Sequence, residues 1–153
     1  MLNTVDLRTG LEELDEDACL RLLHGSTLGR LAVVLGDQPM VFPINFTLDG
    51  RAIVFRTDEG TKLYAARHGR VAFECDAFDT TYHTGWSVVL TGRAEEVRNE
   101  AEIARLKRLP LGPWCPGAKP VWLRIRPATI SGRRIPLHGS SIRATDGHEG
   151  DEQ

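Results

Sequence analysis

Cysteine, long apolar runs and a leader segment are what this sequence most clearly lacks. Its three cysteines, Cys19, Cys75 and Cys115, lie far apart and form no Cys-x-x-Cys pair, so neither a disulfide framework nor a thiolate metal site is expected. No apolar stretch approaches the roughly 20 residues of a membrane-spanning helix, and the first 18 residues contain no apolar core of a signal peptide. The sequence therefore predicts a cytoplasmic protein that makes no membrane contact.

An excess of positive charge is also missing. The 19 basic residues are outnumbered by 21 acidic ones, giving a formal net charge of -2, whereas a nucleic-acid-binding protein usually carries a basic stripe. The five histidines show no metal-ligand spacing, so no metal is expected. A phosphate-binding P-loop, a G-x-G-x-x-G fingerprint and a G-x-S-x-G nucleophile motif are absent as well. No nucleic-acid partner is predicted, and any cation cluster must be local.

What the chain does have is a series of short runs rich in Val, Ile, Leu and Phe, which are typical of β-strands. Turn sequences such as Asp49-Gly50 separate the first three runs, which predicts an antiparallel meander. Pro43 lies inside the second run and predicts an edge strand or a bulge there. The predicted strands are Leu28–Leu35, Met40–Leu48, Arg51–Arg56, Arg70–Ala77, Gly85–Val97 and Val121–Arg126, with a short further strand at Ile130–Ile135.

Three helices are predicted beside these strands. One follows the capping residue Asp15 and ends at Gly25, one spans Thr61–His68, and one spans Glu100–Leu109. About six strands with peripheral helices indicate a mainly β fold, a small six-stranded antiparallel barrel, because closure removes unpaired edges. We expect one domain over residues 1–138 and a disordered tail over residues 139–153.

The segment VFRTDEGTKLYAA brings cations, hydroxyls and a glycine to the junction between a strand and a helix. Arg56 ends the strand, Thr57 follows it, and Gly60, Thr61 and Lys62 begin the helix. Unpaired N–H groups at a helix start favour an anion, and arginine can contact phosphate oxygens with two prongs. The segment therefore indicates a site for a terminal phosphate, with Thr61 as the predicted helix cap.

A purely structural interpretation of the same segment is open. Short strand-to-helix connections often contain Gly, Thr and Lys, and Arg56 could simply form an ion pair with Asp58, Glu59 or Glu74.

Two further stretches bear on a binding site. Pro43–Phe46 lies on the strand expected to pair with the strand ending at Arg56, so its backbone could line a pocket beside the phosphate. Trp86 begins another strand, GWSVVLTG, and is by default a core or dimer-interface residue. A flat heteroaromatic ligand would give this ring a second use in stacking.

Three blocks, residues 28–76, GWSVVLTGRAEEV and PATISGRRI, resemble the flavin-binding split-barrel proteins, the pyridoxamine 5'-phosphate oxidase-like family, in the branch near nitroimidazole-resistance-like proteins. The similarity runs from about Asp15 to Arg134. It implies a six-stranded split barrel that forms a homodimer, with FMN bound at the subunit interface. The short SGRR segment lacks the basic and aromatic set that true pyridoxamine phosphate oxidases carry, so oxidation of vitamin B6 is not predicted.

The resemblance also implies roles for individual residues. Arg56, Thr57, Thr61 and Lys62 would hold the FMN phosphate. Four residues would line the isoalloxazine ring and the ribityl chain: Pro43, Ile44, Asn45 and Phe55. Trp86 and Ser87 would approach the flavin, and one alternative is that they do so from the partner subunit.

The predicted function is that of an FMN-dependent oxidoreductase acting on a small-molecule substrate. One alternative is a reductase that uses the deazaflavin F420, whose anionic tail would need a basic groove built from Arg124, Arg126, Arg133 and Arg134. Another is a module that binds flavin or haem without catalysis.

Overall fold

The computed structural model describes residues 4–115 and 117–137, which form nine strands and three helices. The predicted tail, residues 139–153, lies outside the described residues. The elements in chain order are β1 (Thr4–Val5), β2 (Glu12–Leu14), α1 (Glu16–His24), β3 (Leu28–Leu35), β4 (Gln38–Asn45), β5 (Thr47–Asp49), β6 (Ala52–Thr57), α2 (Thr61–Arg67), β7 (Arg70–Asp79), β8 (Thr84–Val97), α3 (Glu100–Leu106) and β9 (Val121–Ile135).

The strands form one antiparallel sheet that curls into a split barrel around the long strand β9. β9 pairs with β8 along one edge and with β2 and β6 along the other. The two strands predicted at 121–126 and 130–135 are therefore one, interrupted only by a register shift opposite Thr91 and Gly92. The mainly β, antiparallel fold class is confirmed.

The second predicted strand is divided, and this changes its pairing. At Phe46 the run breaks into β4, which pairs with β3, and β5, which pairs with β6. The expectation that Pro43–Phe46 lies on the strand paired with β6 is therefore wrong. The reason is packing: the Phe46 ring is buried and meets Phe73 edge to face, with ring centroids 4.8 Å apart.

Strand β4 lies at the sheet edge, because among the described residues it pairs with β3 alone, as Pro43 predicted. Residues 4–115 and 117–137 contain nine strands, rather than the expected six or so. Strands β1 and β2 were not predicted, and the second run contributes two strands instead of one.

The helix boundaries differ in how well they were predicted. α1 begins as expected, with the Asp15 carboxylate accepting a hydrogen bond from the Ala18 N–H at 2.8 Å, and it ends at Gly25. Thr61 is the first residue of α2 and not, as predicted, its cap. The N-cap is Gly60, whose φ of 150° is a conformation that favours glycine. α3 ends at Leu106, three residues earlier than predicted. No helix in the described ranges is long and apolar enough to cross a membrane.

Strand β6 is buried on both faces, which explains its continuous apolar sequence. Ile53 and Phe55 point into the main core, whereas Val54 joins a second small core beneath α3 with Trp122 as its largest member. The alternation continues past the apolar residues. Arg56 therefore lies on the same side as Val54 and next to its register partner Trp122.

Strands β4, β3, β7 and β8 have one side toward the main core. Their other side, here called the outer face, carries valines and a charged cluster. Val34, Val41 and Val89 are 54%, 64% and 39% exposed. In the cluster, Arg30 Nη1 lies 3.2 Å from the Glu74 carboxylate and 3.7 Å from Asp76. Burial, and then the neighbouring Asp76, raise the pKa of Glu74 to about 7, while Arg30 opposes the shift.

This raised pKa predicts that stability decreases as pH rises. The folded chain retains the Glu74 proton between the ordinary pKa of 4.5 and about 7, whereas the unfolded chain releases it, so the free energy of unfolding falls across that window. Urea titrations at several pH values between 5 and 8 should show this fall, and Glu74→Gln should flatten it. Glu13→Gln, at an exposed position on β2, is the control. An unchanged slope in Glu74→Gln would contradict the assignment.

Candidate functional site

A cavity of about 320 Å³ opens between β4, β6, the start of α2 and the loop between α3 and β9, residues 107–120. Its volume lies at the lower end of the range for small-molecule pockets. It is lined by Leu28, Pro43, Ile44, Asn45, Arg56, Lys62, Leu111, Pro113, Trp114, Cys115 and Lys119. Apolar side chains thus share one cavity with three cations, and none of the described lining residues is acidic.

The three cations are neighbours. Arg56 contacts the backbone of Lys119, and the charge of Lys119 acts on Lys62. Burial first, and the positive charge of Lys119 second, lower the pKa of Lys62 below its ordinary value. The Lys62 ammonium also lies over the Phe42 ring, 5.6 Å from its centroid. A negatively charged group in the cavity would relieve this repulsion.

Arg56 fastens the 107–120 loop to the barrel. Its Nε donates a hydrogen bond to the Lys119 carbonyl at 3.0 Å, and its Nη2 donates one to the Ala118 carbonyl at 2.9 Å. The guanidinium lies over the Trp122 ring, 4.9 Å from the centroid. The hydrogen bonds found for Arg56 across the described chain go to these carbonyls, so the alternative of an ion pair with a nearby carboxylate is not what the structure shows.

Two other side chains hold the same loop. The Asp58 carboxylate accepts a hydrogen bond from the Lys119 N–H at 2.8 Å, and its other oxygen lies 3.7 Å from the Lys119 ammonium. Asn45 Oδ1 accepts a hydrogen bond from the Trp114 N–H at 2.8 Å. The Trp114 ring itself is exposed, so this end of the loop is tied by its backbone.

The structure brings together five of the predicted site residues: Pro43, Ile44, Asn45, Arg56 and Lys62 all line the cavity. Pro43 to Asn45 reach it as the end of the edge strand β4, rather than as part of a strand paired with β6.

The other predicted residues lie elsewhere. Phe55 is fully buried in the core, and Thr57 is buried with its hydroxyl donating to the Asp58 carbonyl at 3.2 Å. Gly60 and Thr61 are exposed at the start of α2. Trp86 and Ser87 lie on β8, and Trp86 lines a separate depression together with Arg134.

The four arginines considered for a basic groove are not part of this cavity. Arg124 is buried and paired with Glu95 and Glu102, and Arg126 is paired with the same Glu95 carboxylate, so the two do share a face as their spacing indicated. Arg134 contacts Glu12, and Arg133 is exposed on β9. In the described part of the chain, no group of three or more His, Cys, Asp or Glu residues could hold a metal ion.

Sequence reasoning missed the lining residues that come from the loop and from β3. The loop sequence LPLGPWCPGAKP is clearly irregular, and a tryptophan and a lysine in such a segment were the available signal. The residues missed are Leu28, Leu111, Pro113, Trp114, Cys115 and Lys119.

The fold and cavity define a small antiparallel split-barrel protein with a cation-rich pocket at the end of its edge strand. The chain belongs to the pyridoxamine 5'-phosphate oxidase-like family, because the family model described as pyridoxamine 5'-phosphate oxidase matches residues 15–134. The resemblance inferred from the sequence, with nearly the same limits, is confirmed.

Individual relatives agree with this assignment. The FAD binding protein from Mycobacterium smegmatis is 42% identical, covers 80% of this chain and 96% of its own, and has a TM-score of 0.71. A FAD-binding protein from Mesorhizobium loti is 25% identical over 81% of this chain and 97% of its own, with a TM-score of 0.68. An uncharacterized protein from Mycobacterium tuberculosis is 37% identical over 80% of this chain and 84% of its own length.

The contacts of Asp58 predict that it orders the cavity wall even without a ligand. Asp58→Ala removes the acceptor of the Lys119 N–H, so hydrogen exchange at this amide should accelerate by about tenfold, the effect of losing about 1.4 kcal/mol of protection. Exchange measured by NMR or mass spectrometry checks this. Glu59→Ala, at the neighbouring exposed position, should leave the amide unchanged. Equal exchange in both variants would show that Asp58 does not hold the loop.

Proposed function

We propose that this chain binds a flavin nucleotide in the cavity beside Lys62, with the phosphate among the cations and the ring against the apolar wall. The observation that carries the proposal is the combination of three neighbouring cations with an apolar lining in one cavity. A flavin nucleotide has the matching chemistry, because it joins a flat heteroaromatic ring to an anionic phosphate.

The two parts of the cavity would divide the work of binding. Lys62 supplies a charged donor for phosphate oxygens, and its partial burial strengthens that interaction because the local dielectric is low. Pro43, Ile44 and Leu111 offer apolar surface, and Asn45 adds a polar edge. An N–H or carbonyl of this β4 segment can hydrogen-bond a ring edge at little entropic cost, since the strand is already ordered.

The relatives support a flavin and extend the choice beyond FMN. Two proteins similar to this chain, from Mycobacterium smegmatis and Mesorhizobium loti, are FAD-binding proteins. FMN and FAD share the isoalloxazine, the ribityl chain and the first phosphate, so the same cations serve either molecule. Parallel titrations with both nucleotides identify the one that this chain prefers.

The charge distribution favours a flavin over F420. The basic groove that F420 would need was expected from Arg124 and its neighbours, yet Arg124 and Arg126 are neutralised by Glu95 and Glu102. The cations of the cavity are few and clustered, which suits one phosphate group rather than a long anionic tail.

We further propose that the protein is an oxidoreductase of a small substrate. A bound flavin would supply hydride or electron transfer, and the residues of this chain would bind it, orient it and exclude water from one side of it. The proposal therefore requires no acid–base pair from the protein. The test is to add NADH or NADPH to the flavin-loaded protein without oxygen and to monitor the flavin absorbance. Loss of the oxidised-flavin absorbance indicates an oxidoreductase, and an unchanged spectrum indicates a carrier.

A homodimer is part of the same proposal. The outer face exposes Val34, Val41 and Val89, and apolar residues grouped on one sheet face are typical of an interaction surface. Leu28 and Pro43 line the cavity from strands β3 and β4 of this sheet. A second copy placed on the outer face would thus lie beside the opening of the cavity and narrow it.

The phosphate proposal predicts the effect of removing one charge. Lys62→Ala should weaken FMN or FAD binding by about ten- to a hundredfold, because a hydrogen bond to a charged group contributes about 1.5–3 kcal/mol. Titration followed by flavin fluorescence measures the change. Lys107→Ala, an exposed lysine outside the cavity, should bind like the wild type. Wild-type affinity in Lys62→Ala would contradict the proposed site.

The dimer proposal predicts that a charge on the outer face dissociates the protein. Val41→Asp buries a carboxylate in the proposed interface, so light scattering should show the mass falling from that of two chains to that of one. Val5→Asp replaces another exposed valine, on β1 away from the outer face, and should leave the mass unchanged. A wild-type protein that binds flavin as a monomer would contradict the proposal.

A further inference from the structure

Lys119 is held in an unusual conformation at the cavity wall. Its φ of 41° lies in the left-handed region, which is sterically unfavourable for a residue with a Cβ atom. Gly117, two residues earlier, also has a positive φ, of 140°. The turn therefore adopts a backbone shape that needs support from other parts of the chain.

That support comes from two charged side chains of the β6–α2 region. Arg56 donates to the Lys119 carbonyl at 3.0 Å, and Asp58 accepts from the Lys119 N–H at 2.8 Å. Both polar backbone groups of one residue are thus occupied by side chains that lie about 60 positions earlier in the sequence. The contacts fix where the Lys119 side chain can go.

The side chain is turned inward. It is 18% exposed, although lysine side chains are normally solvated, and it lines the cavity next to Lys62. The Asp58 carboxylate lies 3.7 Å from the Lys119 ammonium but is itself 53% exposed, so it shields the charge only in part. Two ammonium groups therefore share a partly enclosed space, where burial first and the repulsion by Lys119 second lower the pKa of Lys62. An anion between the two groups would convert this repulsion into attraction.

We propose that Lys119 is a phosphate ligand of the cavity, acting together with Lys62. The proposal rests on the proposed function, since the phosphate is that of the flavin nucleotide. It adds a ligand that comes from the 107–120 loop, and it gives the contacts of Arg56 and Asp58 a role in binding: they place the ammonium of Lys119 at the phosphate.

The test compares two ligands that differ only in the phosphate. FMN and riboflavin are titrated into wild type and Lys119→Met, which keeps the length of the side chain and removes the charge. We expect FMN binding to weaken by about tenfold or more and riboflavin binding to change by less than about twofold. Lys119→Arg restores a charge at the same position and should recover most of the FMN affinity.

The outcomes are separable. If Lys119→Met weakens FMN and riboflavin equally, Lys119 shapes the loop and is not a phosphate ligand, and the inference is overturned while the proposed function stands. Unchanged FMN affinity in Lys119→Met overturns it as well. If the wild-type chain binds neither molecule, the proposed function itself fails, and this inference fails with it. Thermal unfolding of each variant confirms that the compared proteins are folded.

Discussion

The arrangement of the cavity depends on the contact between the Arg56 guanidinium and the carbonyls of Ala118 and Lys119. Arg56 is the second-last residue of the doubly buried strand β6, so two hydrophobic cores fix its position. The flat guanidinium rests on Trp122 and directs its donors at the 107–120 loop, which supplies five of the eleven lining residues. A residue near a strand end thus holds a long connection whose described residues form no helix or strand.

The charge pattern of the rest of the chain keeps the cavity distinct. Several arginines elsewhere are matched by carboxylates: Arg105 makes two contacts of 2.8 Å with Asp49, and Arg67 contacts Glu96 at 2.8 Å. Lys62 instead lies over an aromatic ring in a partly buried position. A chain with a slightly negative net charge can therefore present a local positive field, because several of its other cations are paired with carboxylates.

The sequence predicted what depends on local pattern. The bounds of β3, the Asp15 cap and the edge position of Pro43 all follow from periodicity and side-chain chemistry within a few residues. Strand alternation could also have separated Arg56 from Thr57, which face opposite sides of β6. The break at Phe46 could not be predicted, because no glycine or Asp-Gly turn marks it and the ring that Phe46 packs against, Phe73, is distant in the sequence. Lys119 was missed for a similar reason, since its hydrogen bond to Arg56 spans 63 positions and leaves no periodic signal.

The most direct measurement is the visible absorption spectrum of the purified protein after incubation with FMN or FAD and gel filtration. We expect flavin absorbance to co-elute with the protein at close to one flavin per chain, and the same treatment with F420 to leave the protein colourless. A protein that elutes colourless after all three incubations would contradict the assignment of the cavity. A protein that retains F420 alone would show that the cations serve a deazaflavin instead.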